Sequence, residues 1–410
     1  MKTCLSSFLL FCLFWVSSNA QGRDETKPLF FVRAKAVNSQ ERTQIANAGI
    51  AIDGVLSDAV TFFSTEKELK KLTSIGVSFE ATPFNERSWG FPGSDEAFHD
   101  YQETSDALKE IAAKYPSIAQ TFSIGKSVEG RELYGVRLSS ARMQDSLPTM
   151  VLMGCHHARE HLSVEIPLLM AQHLSRHYGT DPKITKLLDT IEVWIVPMIN
   201  PDGAEHDIHR GVYKMWRKNR RDNGDGTMGV DLNRNYGTGW GGPGSSSDTD
   251  SDIYRGPHAF SEPETLAVKE FLKDRKKTTT LISFHTFSEL VLWPFGHTND
   301  EVPNAADLAV FETIGKKMAK GNRYTPMKSS GLYLASGDTA DWAYDELGIF
   351  AFTFELSPSS LFQGGFYPGA QAIEPTFKAN LQPILDLMEV TDNPYRSVIR
   401  DDSDPLNMLH

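Results

Sequence analysis

The sequence predicts an α/β protein in two parts: a small ferredoxin-like βαββαβ unit, then a larger sheet sandwiched in three α/β/α layers. Three observations carry this. From Leu29 to Phe79, short strand-like and helix-like segments alternate in the order βαββαβ. Further on, the runs TMVLMG, IEVWIVPMI, TLISFHTF and IFAFTFEL are apolar with no polar alternation. Strands without a polar face are buried on both sides, which calls for helices above and below them. Helical stretches such as SDALKEIAAKY and PETLAVKEFLKDR lie between these runs and supply those layers.

Taken in chain order, residues 1–20 start with Lys2, continue with an apolar run from Phe8 to Val16 and close on Ser18-Asn19-Ala20. This is the pattern of a cleaved secretory signal, and its apolar run is too short to span a bilayer. The mature protein is therefore expected to be secreted, extracellular or periplasmic, and soluble. Cys4 and Cys12 fall inside the signal, so Cys155 remains alone and no intramolecular disulfide is expected. Flanked by the apolar Thr149–Met153 run, Cys155 reads as a buried small hydrophobe.

The small unit is placed at residues 27–82. Its strands are LFFVRAKA, GIAID, AVTFFS and VSFE, and its helices SQERTQIANA and EKELKKLTSIG. Residues 83–96, most of them in the polar and Gly/Pro-bearing NERSWGFPGSDEAF, read as a linker. The layered domain follows at 97–390, and residues 391–410 form a polar, loosely ordered tail. Within the large domain, GWGGPGSSSDTDSD at 239–252 reads as a surface loop, with calcium binding as the alternative to plain solvation.

Length and charge narrow the partners. A chain of 410 residues with 40% hydrophobic content can bury a large core. Its 41 basic and 53 acidic residues leave a net charge of -12, which argues against nucleic acid or an anionic membrane as the main partner. No later stretch is long and apolar enough for a membrane helix, and a monomer is expected.

The chemistry concentrates in GCHHAREHLS at 154–163, just past the carboxyl end of the predicted strand TMVLMG, where ligands gather in such sheets. On a helix, His156 with Glu160, His157 with Glu160, or His157 with His161 would each put two metal ligands on one face. Catalytic zinc typically takes two histidines and a carboxylate and leaves a position for water. The strand TLISFHTF delivers His285 as a distant third ligand.

HARE at 157–160, WRKNRR at 216–221, DLNRN at 231–235, SFHTFS at 283–288, LYLASGDTADW at 332–342 and FTFEL at 352–356 stand in one order, with IGKSVEGREL before the site and NPDG after it. In this the chain resembles the zinc metallocarboxypeptidases of the carboxypeptidase A/B type over roughly residues 97–390. The resemblance implies a mixed, twisted sheet preceded by a prosegment, hence a zymogen, and one zinc ion held by His157, Glu160 and His285. It implies that Glu355 promotes the attack of water on the last peptide bond and that Arg217 steadies the oxyanion. Asn233, Arg234 and Tyr333 match the positions that hold a terminal carboxylate, and Arg159 the auxiliary substrate-binding arginine. A planar guanidinium suits such a carboxylate. The substrates implied are peptide or protein C-termini. An amide hydrolase acting on cell-wall peptides is the enzymatic rival, and an inactive binding module the rival of another class.

Two departures from the family pattern stand out. His161 occupies a position where tryptophan is usual. Ala340 stands at the residue that lines the pocket base, where the family has isoleucine or aspartate, while Asp338 lies two positions earlier. The expectation is a roomy pocket with broad or dual, apolar and basic, preference; the alternative is that Asp338 caps the TADWAYDEL helix. Arg220 and Arg221 are expected to be solvated. An N-terminal prosegment would cover the cleft until the linker is cut, near Arg87.

Overall fold

A computed structural model describes residues 29–84, 95–141, 145–209 and 211–398. The predicted signal, the cut near Arg87 and the end of the tail lie outside the described residues. The first unit consists of β1 (Leu29–Lys35), α1 (Ser39–Asn47), β2 (Gly54–Val55), β3 (Ala59–Thr65), α2 (Glu66–Ser74) and β4 (Phe79–Phe84). Its antiparallel sheet runs β2-β3-β1-β4. Successive strand residues face opposite ways. Val32, Ala34, Val60 and Phe62 pack with Ile45 and Leu72 of the helices, while Leu29 and Phe63 turn to the other face. Thr65 and Glu68 start α2 with a reciprocal capping box.

One predicted strand of this unit is displaced. GIAID at 49–53 does not pair as a strand; Ile50, Ala51 and Ile52 are buried, and the strand proper is only Gly54–Val55. The run is apolar because it is pressed into the core and toward the second unit. β4 extends through Phe84, two residues into the predicted linker.

The second unit continues with α3 (Tyr101–Lys114), β5 (Ala119–Lys126), β6 (Glu132–Leu138), β7 (Thr149–Gly154), α4 (Leu162–His177), α5 (Pro182–Thr190), β8 (Glu192–Val196) and α6 (Pro201–Asp207). It goes on through α7 (Pro263–Asp274), β9 (Thr278–Thr286), β10 (Leu290–Trp293), α8 (Ala305–Asn322), β11 (Thr325–Lys328), α9 (Thr339–Leu347), β12 (Phe350–Leu356) and α10 (Ile373–Met388). The mixed sheet runs β11-β10-β12-β9-β7-β8-β6-β5. The four continuously apolar runs are its centre, β12-β9-β7-β8, all mutually parallel. One core lies between this sheet and α3, α4, α8 and α10, and a second around Trp194, Phe271 and Trp342 packs α7 and α9 on the opposite face. The three layers are therefore present. β5, β6, β10 and β11 flank the centre; partly polar or only four residues long, they escape an apolar-run reading.

Candidate active site

The site forms where β7 and β9 end. At Gly154, a Cβ would sit 2.0 Å from the Ser163 carbonyl oxygen, so only glycine lets the chain fold back here. The following residues 155–161 are turns, not a helix, and α4 begins only at Leu162. The turn is held by the Ser163 hydroxyl, which accepts from Cys155 N and donates to the Glu160 carbonyl, and by Ala158 N donating to the Arg217 carbonyl at 3.0 Å. Asn200, from NPDG, donates to the carbonyls of His156 (3.2 Å) and Lys218 (3.1 Å), tying this turn to the WRK segment. Cys155 is buried, and burial pushes its thiol up far above the ordinary range, as expected of an inert hydrophobe.

His157, Glu160 and His285 converge. His157 Nδ1 lies 2.7 Å from Glu160 Oε1, and His285 Nδ1 lies 3.0 Å from Glu160 Oε2 and 3.2 Å from His157 Nδ1. All three residues are buried, and their ligand atoms lie within 4.8 Å of one another. Burial alone would raise the Glu160 carboxyl, but His157 and His285 outweigh it and hold it below the usual range. Burial, the largest effect on His285, lowers it and favours the neutral imidazole that binds metal. Two ring nitrogens and a carboxylate aimed at one point are the donor set of catalytic zinc.

The outer shell is equally built. His157 Nε2 meets Asp231 Oδ1 at 3.2 Å, and Arg217 contacts Asp231 Oδ2 through Nε and Nη2, each at 3.0 Å. Such a carboxylate fixes the tautomer and orientation of a ligating histidine. His285 Nε2 lies 3.1 Å from Ser283 Oγ. Asp231 falls inside the DLNRN motif, but spacing alone does not reveal that it faces a ligand from 74 residues away.

His156 and His161 point elsewhere. His156 Nε2 pairs with Tyr236 Oη at 2.8 Å, and burial drives its ring well below the ordinary range. His161 Nε2 contacts Asp207 Oδ2 at 2.9 Å and packs beside Tyr213 and Tyr367. A polar network thus surrounds His161.

One cleft is lined by His157, Glu160, Arg217, Asn233, Arg234, Tyr333, Asp338 and Glu355 together. Glu355 is brought there by β12, in register with His285 of β9. Burial, then Glu160, pushes its carboxyl well above the ordinary range, against the pull of Arg217 and Arg234. Asn233 Oδ1 accepts from Thr339 N, and Arg234 donates to the Gly244 and Asn233 carbonyls. Leu292, Gly296, Ser329 and Thr353 line the same cleft.

Asp338 caps α9, its Oδ1 accepting from Asp341 N at 2.9 Å, and also lines the cleft. Ala340 is not among the lining residues; it is 2% exposed, packed in the core with Trp342 and Ala343. Arg220 and Arg221, expected to be solvated, are partly so and also make contacts. Arg221 pairs with buried Glu262 at 2.7 Å, and Arg220 covers the Trp216 ring.

The first unit reaches the same cleft. Ile52, Asp53, Gly54 and Val55 line it, and Asp53 Oδ1 meets Arg159 Nη2 at 2.6 Å with both side chains buried. Arg159 also donates to the Met215 carbonyl and lies over the Phe366 ring. Lys67 and Lys71 of α2 pair with Asp248, and Lys67 also with Asp250, in the Gly/Ser/Asp-rich loop. Leu29, Phe63 and Phe84 pack on Tyr213, Phe287, Phe366 and Tyr367 around the cleft.

The chain is similar to known proteins over most of its length. A zinc carboxypeptidase from Saccharothrix mutabilis subsp. capreolus is 34% identical over 81% of this chain and 82% of its own. Carboxypeptidase A2 of Rattus norvegicus is 31% identical over 93% of this chain and 88% of its own. The crystal structure of carboxypeptidase A from Helicoverpa armigera shares the fold, with a TM-score of 0.74 at 24% identity, covering 90% of this chain and 98% of that one. With the zinc carboxypeptidase family model matching residues 104–383, the chain belongs to the zinc carboxypeptidases and is a zinc-dependent peptide hydrolase.

Proposed function

We propose that this is an exported carboxypeptidase that releases the last residue of peptides by a glutamate-promoted water, and that the intact chain is its latent form. The observation that carries the reading is the single cleft shared by the His157, Glu160, Glu355 and Arg217 cluster, the Asn233, Arg234 and Tyr333 group, and Asp338. Asn233, Arg234 and Tyr333 hold the free terminal carboxylate and so select the chain end. His157, Glu160 and His285 would hold the zinc, which when bound would supply Lewis acidity and lower the pKa of water toward ~7. Glu355 accepts the proton of the attacking water and delivers it to the leaving amine. Arg217, fixed by Asp231, meets the negative charge that develops on the carbonyl oxygen, a contribution on the order of 10²–10³ in rate.

Terminal preference is broad. Asp338, rather than Ala340, gives the pocket its polar group, so apolar and basic side chains are both accepted. Latency is supported by Ile52–Val55 in the cleft and by Asp53 on Arg159, where a carboxylate of the chain's own first unit occupies a guanidinium suited to substrate. Export is supported by residues 1–20, with the mature chain beginning at Gln21.

A release assay on peptides that differ only at their last residue tests this. Activity should vanish with a chelator, return with zinc, and be lost on peptides amidated at the end. Equal cleavage of free and amidated ends would falsify the carboxylate-clamp assignment. Comparing the intact chain with one cut between residues 85 and 94 tests latency, and equal rates would remove it.

A further inference from the structure

The floor of the cleft carries a chain of three ionisable groups that the reaction itself does not use. Asp338 Oδ1 accepts from Asp341 N at 2.9 Å. A Cβ built on Gly296 would lie 3.2 Å from Asp338 Oδ2, so the other oxygen rests against a residue with no side chain. The Gly296 amide donates at 2.9 Å to the Asp341 carboxylate, which also accepts from His297 N and lies 2.6 Å from His297 Nδ1. Asp341 is 1% exposed at its side chain, whereas His297 is 23% exposed and can exchange protons with solvent. A part-exposed imidazole is thus paired with a buried carboxylate, and the backbone amide of that same residue donates to the carboxyl that lines the pocket.

We propose that His297 is a positioning residue for specificity: its ion pair with Asp341 sets the charge of Asp338 and makes the choice between apolar and basic terminal residues depend on pH. The inference rests on Asp338 being the polar group of the terminal-residue pocket, as proposed above.

Ionisable groups face Asp338 and His297 from several elements, and Asp53, His157, Glu160 and Arg217 stand elsewhere in the cleft. From α9 come Asp341 and, further along, Asp345; from the segment after β10, His297; from the turn that follows Asp231, Arg234 and Tyr236; Tyr333 and, from β12, Glu355 line the same cleft. Burial, then repulsion by Asp341, pushes Asp338 up to about 7, with Arg234 pulling the other way. The hydrogen bond to Asp341 holds the His297 proton above the ordinary imidazole range. A protonated His297 cancels the Asp341 charge and so eases the ionisation of Asp338. Below neutral pH, Asp338 is uncharged and the pocket suits apolar ends; above it, the carboxylate can pair with a lysine. The substrate lysine stays charged throughout this range, with a pKa of about 10.4. Any change in preference therefore reports the enzyme.

The test is the ratio of kcat/KM on otherwise identical peptides ending in Lys and Phe, followed from pH 5.5 to 8.5 with the zinc-loaded enzyme, cut in the linker if the intact chain is inactive. Dividing the two cancels titrations of the shared catalytic groups. The wild-type ratio should rise through a midpoint near neutrality. His297→Asn, which keeps a hydrogen-bonding side chain without a charge, should move the midpoint up by about one pH unit, and His297→Arg should restore it. A flat wild-type ratio overturns the proposal whether or not the variants fold. If Asp338→Asn abolishes the rise while His297→Asn leaves the midpoint in place, the switch is wrong and the pocket reading stands. If Asp338→Asn leaves the Lys rate untouched, the pocket reading itself fails.

Discussion

An aspartate that caps a helical turn stands behind the metal end of the cleft and another lines its pocket end, and their surroundings push the two carboxyls in opposite directions. Asp231 accepts from Asn233 N at 2.9 Å, and Asp338 from Asp341 N at the same distance. Burial raises both. At the metal end Arg217 and His157 more than offset it, and Asp231 lies well below the ordinary range. At the pocket end the charge with the largest effect is another carboxylate, Asp341, and Asp338 rises to about 7. Cap geometry is local and alike in both; charge state comes from what the tertiary fold brings alongside. The metal end is thus built to stay in one state and the pocket end to change.

The sharpest way to break this contrast is at the metal end. Glu355→Gln should lower kcat on the order of 10²–10⁴-fold on every peptide, since it removes the proton acceptor irrespective of the terminal side chain. A loss confined to one class of substrate would move Glu355 out of the chemistry. Asp231→Asn keeps a capping side chain but removes the charge. Zinc affinity, measured by competition with a chelator, should fall about 10–100-fold, with activity following. Unchanged zinc affinity would mean that Asp231 only orients Arg217.

At the other end the effects are smaller. Asp338→Ala removes a helix cap as well as a charge and should cost about 1 kcal/mol in thermal or denaturant unfolding, while Asp338→Asn should cost a few tenths. Equal losses would separate the cap from the carboxyl's place in the pocket. A third aspartate extends the comparison: Asp53 is buried, raised above its ordinary range by burial, and meets Arg159 across the two units. Asp53→Ala should raise the activity of the uncut chain several-fold, and no change would leave the first unit without an inhibitory contact there.

The smallest expected effect concerns pH and the seating of the first unit. Glu68 is pushed up to about 7 by burial and then by Asp252 of the second unit. A free glutamate titrates near ~4.3. Where seating raises the carboxyl, the seated form takes up a proton between these values, so seating weakens as pH rises from about 4.3 to about 7 and is level above. Glu68→Gln should flatten that trend in the pH dependence of the uncut chain's latency.

Much of this was legible without coordinates, because the features concerned are local or repeated. Central strands read as unbroken apolar runs, since burial on both faces leaves no polar position in TMVLMG or IFAFTFEL. GIAID read as a strand for the same reason, and wrongly, because apolarity records burial and not pairing. HARE, with the distant His285, matched a family pattern, yet its own spacing left three ligand pairs open. The structure brings together His157, Glu160 and His285, and sends His156 to Tyr236 and His161 to Asp207.

What the sequence determined by itself is the order of segments, the apolar centre of the sheet, the two-unit plan and the set of residue types able to hold zinc. These depend on composition and short-range period, which a linear string preserves. Only the tertiary structure decided that Asp231 backs His157, that Ala340 belongs to the core while Asp338 lines the cleft, and that Asp53 reaches Arg159 from 106 residues away. Each is a contact between distant segments, and electrostatics in a buried site is set by distance in space.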